Sequence, residues 1–203
     1  MREDVVATTT QTYDRTAADY DARTRDPAPA YLHARTSFAA SVAGPVVDLG
    51  CGPGRDLAAL RDAGVQAFGV DLSAGMLALA SGRGLPVARG DLRRPPLRPR
   101  SLGGIWSSAA LLHIPREQVP ATLRAWHELL RPGGRLGLST SLGTDEGWEA
   151  LPYPGPPVDG AGRWFVHHEP DVLLALVAAA GFQVLGASER ESHRRWLQVT
   201  ALA

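Results

Sequence analysis

The chain has 203 residues, no formal net charge and 44% hydrophobic residues, which places it among globular domains with one buried core and excludes a membrane-spanning or disordered class. Neutrality provides no general pull toward nucleic acid or anionic lipid, and a single cysteine excludes an internal disulfide or a cysteine zinc cluster. Every basic residue other than histidine is arginine, so a Walker lysine and a lysine nucleophile or base are excluded; the lack of asparagine also excludes N-glycosylation.

Residues 1–43 are expected to be helical and to precede a sheet, with Tyr13 and Tyr20 seven residues apart on one helix face. From about residue 45, apolar β-branched runs alternate with helical patterns, the signature of a parallel α/β sheet. "PVVDLG" reads as the first strand and "RDLAALRDAG" as a helix closed by Gly64. "QAFGVDL" is the second strand, and Ser73 caps the helix "AGMLALAS". "PVARGD" is a short third strand, "SLGGIWSSAA" a fourth, and Val119–Leu130 a helix with Pro120 in its first turn and "RPGG" at its end. "RLGLSTS" is the fifth strand. Residues 142–163 are rich in glycine and proline and show no period, which predicts a long loop on the substrate side. "EPDVLLALVAAAGF" is the last helix, and "FQVLGASE" and "WLQVTALA" form a closing antiparallel pair.

The turn "DLGCGPG" after the first strand brings bare backbone close to a ligand, with an acid just ahead of it. It lacks the third glycine of the dinucleotide fingerprint and the lysine of a P-loop. Asp48, Gly50, Gly52 and Gly54 instead resemble motif I of the class I S-adenosylmethionine (SAM)-dependent methyltransferases. The resemblance extends to Asp71 ending the second strand, Asp91 ending the third, Met76 in "SAGML", "LLHIP" after the fourth and "ELLRPGGRLGLS". It implies a Rossmann-like mixed seven-stranded sheet, mostly parallel with an antiparallel last strand, helices on both faces and an N-terminal helical cap. The chain is then one methyltransferase domain: cap 1–43, SAM-binding core 44–141, substrate-side loop 142–168, final helix and strand pair 169–203.

The same resemblance implies roles. Asp48 orders the site, Asp71 accepts the ribose hydroxyls, Asp91 accepts the adenine amino group and Met76 packs on the adenine. Cys51, Leu72, Leu92 and Ser107 complete the SAM pocket, and Tyr13 and Tyr20 close over it. The chain departs from its relatives at Gly103, where many carry an aspartate before the fourth strand.

A sulfonium is an intrinsically good methyl donor, so alignment of the acceptor is the main task left to the protein. His113, just beyond the fourth strand, is the candidate general base, set against a plain hydrogen-bonding role. Trp148, Tyr153, Trp164 and His167 are the candidate acceptor-binding residues. His167 and His168 point apart in an extended segment, so no metal is expected. Five arginines between Arg89 and Arg100 read as a solvated loop. The expected protein is a cytoplasmic monomer or homodimer that converts SAM to S-adenosylhomocysteine (SAH) and methylates O, N or C of a small molecule, with no nucleic-acid or membrane partner. The Ala, Arg, Gly and Pro bias suggests a GC-rich coding sequence, and the methyltransferase reading implies a place in bacterial secondary metabolism. Cyclisation or decarboxylation on the same fold, or SAM binding without catalysis, are the alternatives.

Overall fold

Four consecutive residues, Val46–Leu49, are buried on both sides and form β1. A strand buried on both faces needs strands beside it and helices above and below. In the computed structural model, which describes residues 4–24, 29–150 and 162–203, both are present. β2 (Ala67–Asp71) and β4 (Leu102–Ser108) flank β1 in parallel, with β3 (Val87–Arg89) beyond β2 and β5 (Leu130–Ser141) beyond β4. The last two strands, β8 (Gln183–Glu191) and β9 (Arg195–Leu202), run antiparallel, and the order is β3-β2-β1-β4-β5-β9-β8. This is the mixed seven-stranded sheet that the alternating pattern and the resemblance imply.

Strand alternation sends neighbouring residues to opposite layers. Val47, Leu49 and Ile105 meet α5 (Val119–Leu129) and α6 (Pro170–Ala179) through Leu123, Trp126, Leu173 and Val177. Val46 and Trp106 meet α2 (Pro29–Ser41) and α3 (Arg55–Asp62) through Phe38, Leu57 and Leu60. The strand order reverses around β1, which opens a crevice at the carboxyl ends of β1 and β4, the usual ligand site of such sheets.

Helix α1 (Val5–Arg23) lies over that crevice. Its buried stripe includes Thr9, Thr12 and Thr16, so polar contacts rather than apolar burial fix its seat. Asp14 accepts hydrogen bonds from the Ser73 hydroxyl (2.7 Å) and the Gly75 amide (2.9 Å) at the start of α4 (Ala74–Gly82). Thr12 donates to the Gly162 carbonyl, and Thr9 accepts from the Trp164 amide.

The expected loop at 142–163 is corrected in part. β6 (Glu146–Ala150) and β7 (Gly162–Val166) form a separate antiparallel pair with Trp148 opposite Trp164. Each strand has only five residues, and the Gly/Pro-rich stretch between them masked the pairing in the sequence. That stretch, with Tyr153, lies outside the described residues. "RPGG" also differs from expectation. The helix ends at Leu129, and Leu130 already pairs with Leu102. The departure at Gly103 has a physical reason: a Cβ there would collide with the Ala43 carbonyl, to which Arg131 also donates.

Candidate active site

The glycine turn after β1 is built from left-handed backbone. Gly50, Gly52 and Gly54 have φ of 75°, 54° and 86°, a region that L side chains avoid. The Gly50 amide donates to the Val70 carbonyl at 2.8 Å and the Gly52 amide to Asp71 Oδ2 at 2.8 Å, which ties the turn to the end of β2. Asp71 Oδ1 accepts the Ser73 amide at 2.9 Å. Burial pushes the Asp71 carboxyl above its ordinary range, against the hydrogen bonds from Ser73 and Gly52.

A cavity opens over this turn. Gly50, Gly52, Asp71, Leu72, Met76, Asp91 and Leu92 line its sheet side, and Tyr13 and Tyr20 its roof. Asp91 is gripped by Arg93, whose Nε and terminal nitrogen reach both carboxylate oxygens at 2.6–3.0 Å. Burial opposes ionisation there, but the hydrogen bonds and charge of Arg93 outweigh it and hold the carboxyl low.

Other expected pocket residues are not on the cavity wall. Asp48 is 2% exposed beneath the turn, with Oδ2 lacking a hydrogen-bond partner. Burial, and then the charge of Asp56, push its carboxyl well up. Cys51 points into the sheet, where a Cβ at Gly69 would meet its Sγ at 2.6 Å, and burial pushes its thiol up. Gly54 starts α3 and packs under Leu85 and Ala80. Ser107 is fully buried and donates to the Leu49 carbonyl at 2.9 Å; the next residue along the strand, Ser108, faces the cavity instead. The backbone of Cys51 and Gly54 shapes the turn, but neither residue lines the cavity.

A second cavity of about 510 Å³ adjoins the first, and Tyr13, Tyr20, Ser108, Ala109 and His113 border both. Its aromatic walls are Tyr31, Phe165 and Trp196, and arginines supply most of its polar wall. Sequence reading named none of these arginines, because they come from α1, α3, β7, β8 and the β8–β9 turn and form no motif. The aromatic residues expected there are placed otherwise. Trp148 is 40% exposed on β6 and meets Trp164 edge to face, and neither lines the cavity. His167 is turned away, its Nδ1 at 2.9 Å from the Ser141 hydroxyl and its Nε2 at 2.9 Å from Glu149. Alternation along β7 explains the exchange: Phe165 faces the cavity between neighbours that do not.

His113 sits at the junction with both ring nitrogens engaged. Nδ1 lies 2.6 Å from the Trp164 carbonyl and Nε2 2.8 Å from the Tyr13 hydroxyl. A carbonyl only accepts, so Nδ1 carries the proton and Nε2 accepts from Tyr13. Burial pushes its pKa down to about 3. A ring so placed orients Tyr13 and is a weak base.

The lining of the first cavity fits SAM. Bare backbone at Gly50 and Gly52, the carboxylates Asp71 and Asp91, and the apolar Met76 and Leu92 suit a nucleoside with a cationic tail. A Cβ at Gly50 would overlap the Ala110 methyl, so the cradle exists only without one.

A family model described as a methyltransferase domain matches residues 46–134. An uncharacterized methyltransferase of Geobacillus kaustophilus is 29% identical over 130 residues, covering 62% of this chain and 60% of its own length. Trans-aconitate 2-methyltransferase of Deinococcus radiodurans is 39% identical over 105 residues, covering 49% of this chain and 39% of its own. The chain thus spans less than two thirds of these curated relatives. Among solved structures, 1,6-didemethyltoxoflavin-N1-methyltransferase of Burkholderia thailandensis, with 1,6-didemethyltoxoflavin and SAH bound, superposes with a TM-score of 0.75 at 23% identity. The superposition covers 97% of this chain and 87% of that one, a likeness of fold.

Proposed function

We propose that this chain, whose residues 46–134 match a methyltransferase-domain model, is a class I SAM-dependent methyltransferase that methylates an oxygen, nitrogen or carbon atom of a small-molecule acceptor. When bound, SAM supplies an electrophilic methyl group, whose bond to sulfur breaks as the acceptor's lone pair forms the new one. The observation that carries the reading is the pair of cavities sharing Tyr13, Tyr20, Ser108, Ala109 and His113 as their common border. The first would hold SAM through the Gly50–Gly52 backbone, Asp71 and Asp91. The second would hold the acceptor, and its dimensions suit a metabolite. The residue ranges of cap, core and closing strands, a monomeric or dimeric cytoplasmic enzyme, and a role in bacterial secondary metabolism are part of the same proposal. Two named relatives support a small acceptor, since both are called after one.

Titration calorimetry with SAH, SAM and NAD tests the cofactor, with heat expected for the first two. Deuterated-methyl SAM then tests the reaction. Label in the acceptor product supports methyl transfer, and an unlabelled product would point to other chemistry on this fold.

His113 is expected to position Tyr13 rather than move a proton. Glutamine can accept from the Tyr13 hydroxyl and donate to the Trp164 carbonyl, so His113→Gln should lose far less turnover than the roughly 10²–10⁴-fold that a missing general base costs. A base near the ordinary histidine pKa would give a falling acid limb in kcat around pH 6.5. With the ring neutral down to about 3, no such limb should arise from His113. A limb near pH 6.5 that vanishes in the glutamine variant would restore the base.

A further inference from the structure

The larger cavity has a charge pattern that methyl transfer alone leaves unexplained. Arg23, Arg55, Arg163, Arg190 and Arg194 reach its wall, and no described aspartate or glutamate does. Arg55 is neutralised by Asp56 at 3.2 Å, and Arg194 by a two-pronged pair with Glu149 at 3.1 and 2.8 Å. Arg163 and Arg190 have no carboxylate partner among the described residues. Arg163 is 5% exposed, its Nε has no hydrogen-bond partner, and its one side-chain hydrogen bond runs 3.4 Å to the Tyr13 hydroxyl. Its guanidinium lies over the rings of Tyr13 and Phe165. Arg190 has a buried Nε that is equally unpartnered, and it lies over a different pair of rings, Tyr31 and Trp196.

Burying an uncompensated guanidinium is costly, and its rigid fork matches a carboxylate two-pronged. Arg163 is such a buried fork, and the half-buried Arg190, with its shielded Nε, presents a second on a separate ring pair; together they mark two places for negative charge. The junction adds a second constraint. Among its described side chains, His113 has both ring nitrogens engaged, and no carboxylate borders the second cavity there. An alcohol or ammonium acceptor would have to lose a proton there, whereas a carboxylate has none to lose.

Resting on the methyl-transfer reading, we propose that the acceptor is a polycarboxylic acid, with one carboxylate methylated at the junction and at least one other held by Arg163 and Arg190. A carboxylate oxygen bonds to the methyl carbon, the electron pair of the carbon–sulfur bond stays on sulfur, and no proton moves. One negative charge and the sulfonium's positive charge disappear together, and the ester formed has one charge fewer for the arginines to hold.

The test is calorimetry on the full chain saturated with SAH, with propane-1,2,3-tricarboxylate as the probe. The tricarboxylate should bind and its neutral trimethyl ester should not. Arg190→Gln should weaken tricarboxylate binding by about 10- to 100-fold, the scale of a lost charge-assisted pair, and leave SAH affinity unchanged. Arg163→Met should weaken tricarboxylate binding likewise. Because Arg163 also holds the Tyr13 roof of the first cavity, the comparison with SAH affinity rests on Arg190→Gln, which also decides should the buried change prevent folding. No tricarboxylate binding, equal binding of the ester, an indifferent Arg190→Gln, or binding of 3-phosphoglycerate in place of the tricarboxylate overturns the proposal while the SAH heats leave the cofactor reading intact. Absence of SAH binding in the unaltered protein overturns the cofactor reading, and this proposal with it.

Discussion

Gly52→Ala is expected to leave a folded protein that no longer holds SAH, whereas Gly50→Val should lose a large share of the fold's stability. Both glycines have left-handed backbone, at φ of 54° and 75°, which costs an L residue about 1–2 kcal/mol. Their surroundings separate them. A Cβ at Gly52 meets nothing within 4 Å, so its methyl group enters open space beside the Asp71 carboxylate. A Cβ at Gly50 overlaps the Ala110 methyl, which adds an overpacking cost of roughly 1–3 kcal/mol, at its upper end for a β-branched residue. Together these costs, about 2–5 kcal/mol, are a large share of the stability of an ordinary domain, about 5–15 kcal/mol. Urea melts should show a small shift for Gly52→Ala and a larger one for Gly50→Val. Calorimetry should show SAH affinity lost in the folded alanine variant. Wild-type SAH affinity in Gly52→Ala would mean that the cofactor does not sit on this turn.

The same turn shows why so much of the fold was legible. β1 is a continuous apolar run because helices cover both of its faces, and the glycines that follow it are forced by positive φ. Backbone constraints of this kind leave a mark at fixed spacing. The β6–β7 pair left a weak mark, since each strand has five residues and β6 buries none of its own. Single-residue orientation was harder still. Ser107 and Ser108 are chemically identical and differ only in which side of β4 they occupy, and only the second reaches the crevice. The cavity arginines were invisible for a different reason. They are brought together from four separate segments of the chain, and in one dimension each reads as a solvated charge.

Asp56→Ala is expected to cost about 3–5 kcal/mol, the usual penalty for stranding the partners of a buried carboxylate. Asp56 is 6% exposed and accepts from the Tyr31 hydroxyl, from Arg35 at 2.8 Å, from Arg55 at 3.2 Å and from the Trp106 indole at 3.4 Å. Burial opposes its charge, but Arg55 and the hydrogen bonds of Arg55, Tyr31 and Arg35 prevail and hold its pKa below the ordinary value. A carboxyl lowered in the folded state stabilises the protein above its unfolded pKa, and that contribution is lost as pH falls through the folded pKa. The Ala variant should therefore differ most from wild type at neutral pH and converge with it in acid. Its effect should extend to the second cavity, because Tyr31 and Arg55 both line it.

Asp48→Asn should move stability in the opposite direction. Its folded pKa is raised by burial and by Asp56, so its charge costs stability at neutral pH, and that cost disappears as pH falls through the folded value. The asparagine keeps the shape and removes the repulsion, so its thermal midpoint at pH 7 should exceed wild type, with the gain shrinking toward acid. Measured side by side over pH, the two variants separate the roles of neighbouring buried acids: one holds Tyr31 and Arg55 of the second cavity in place, and the other is an acid buried beneath the glycine turn at the expense of the fold. An Asp48→Asn variant less stable than wild type at pH 7 would show that the Asp48 carboxylate is compensated by a partner, and the assignment of its cost to Asp56 would fail.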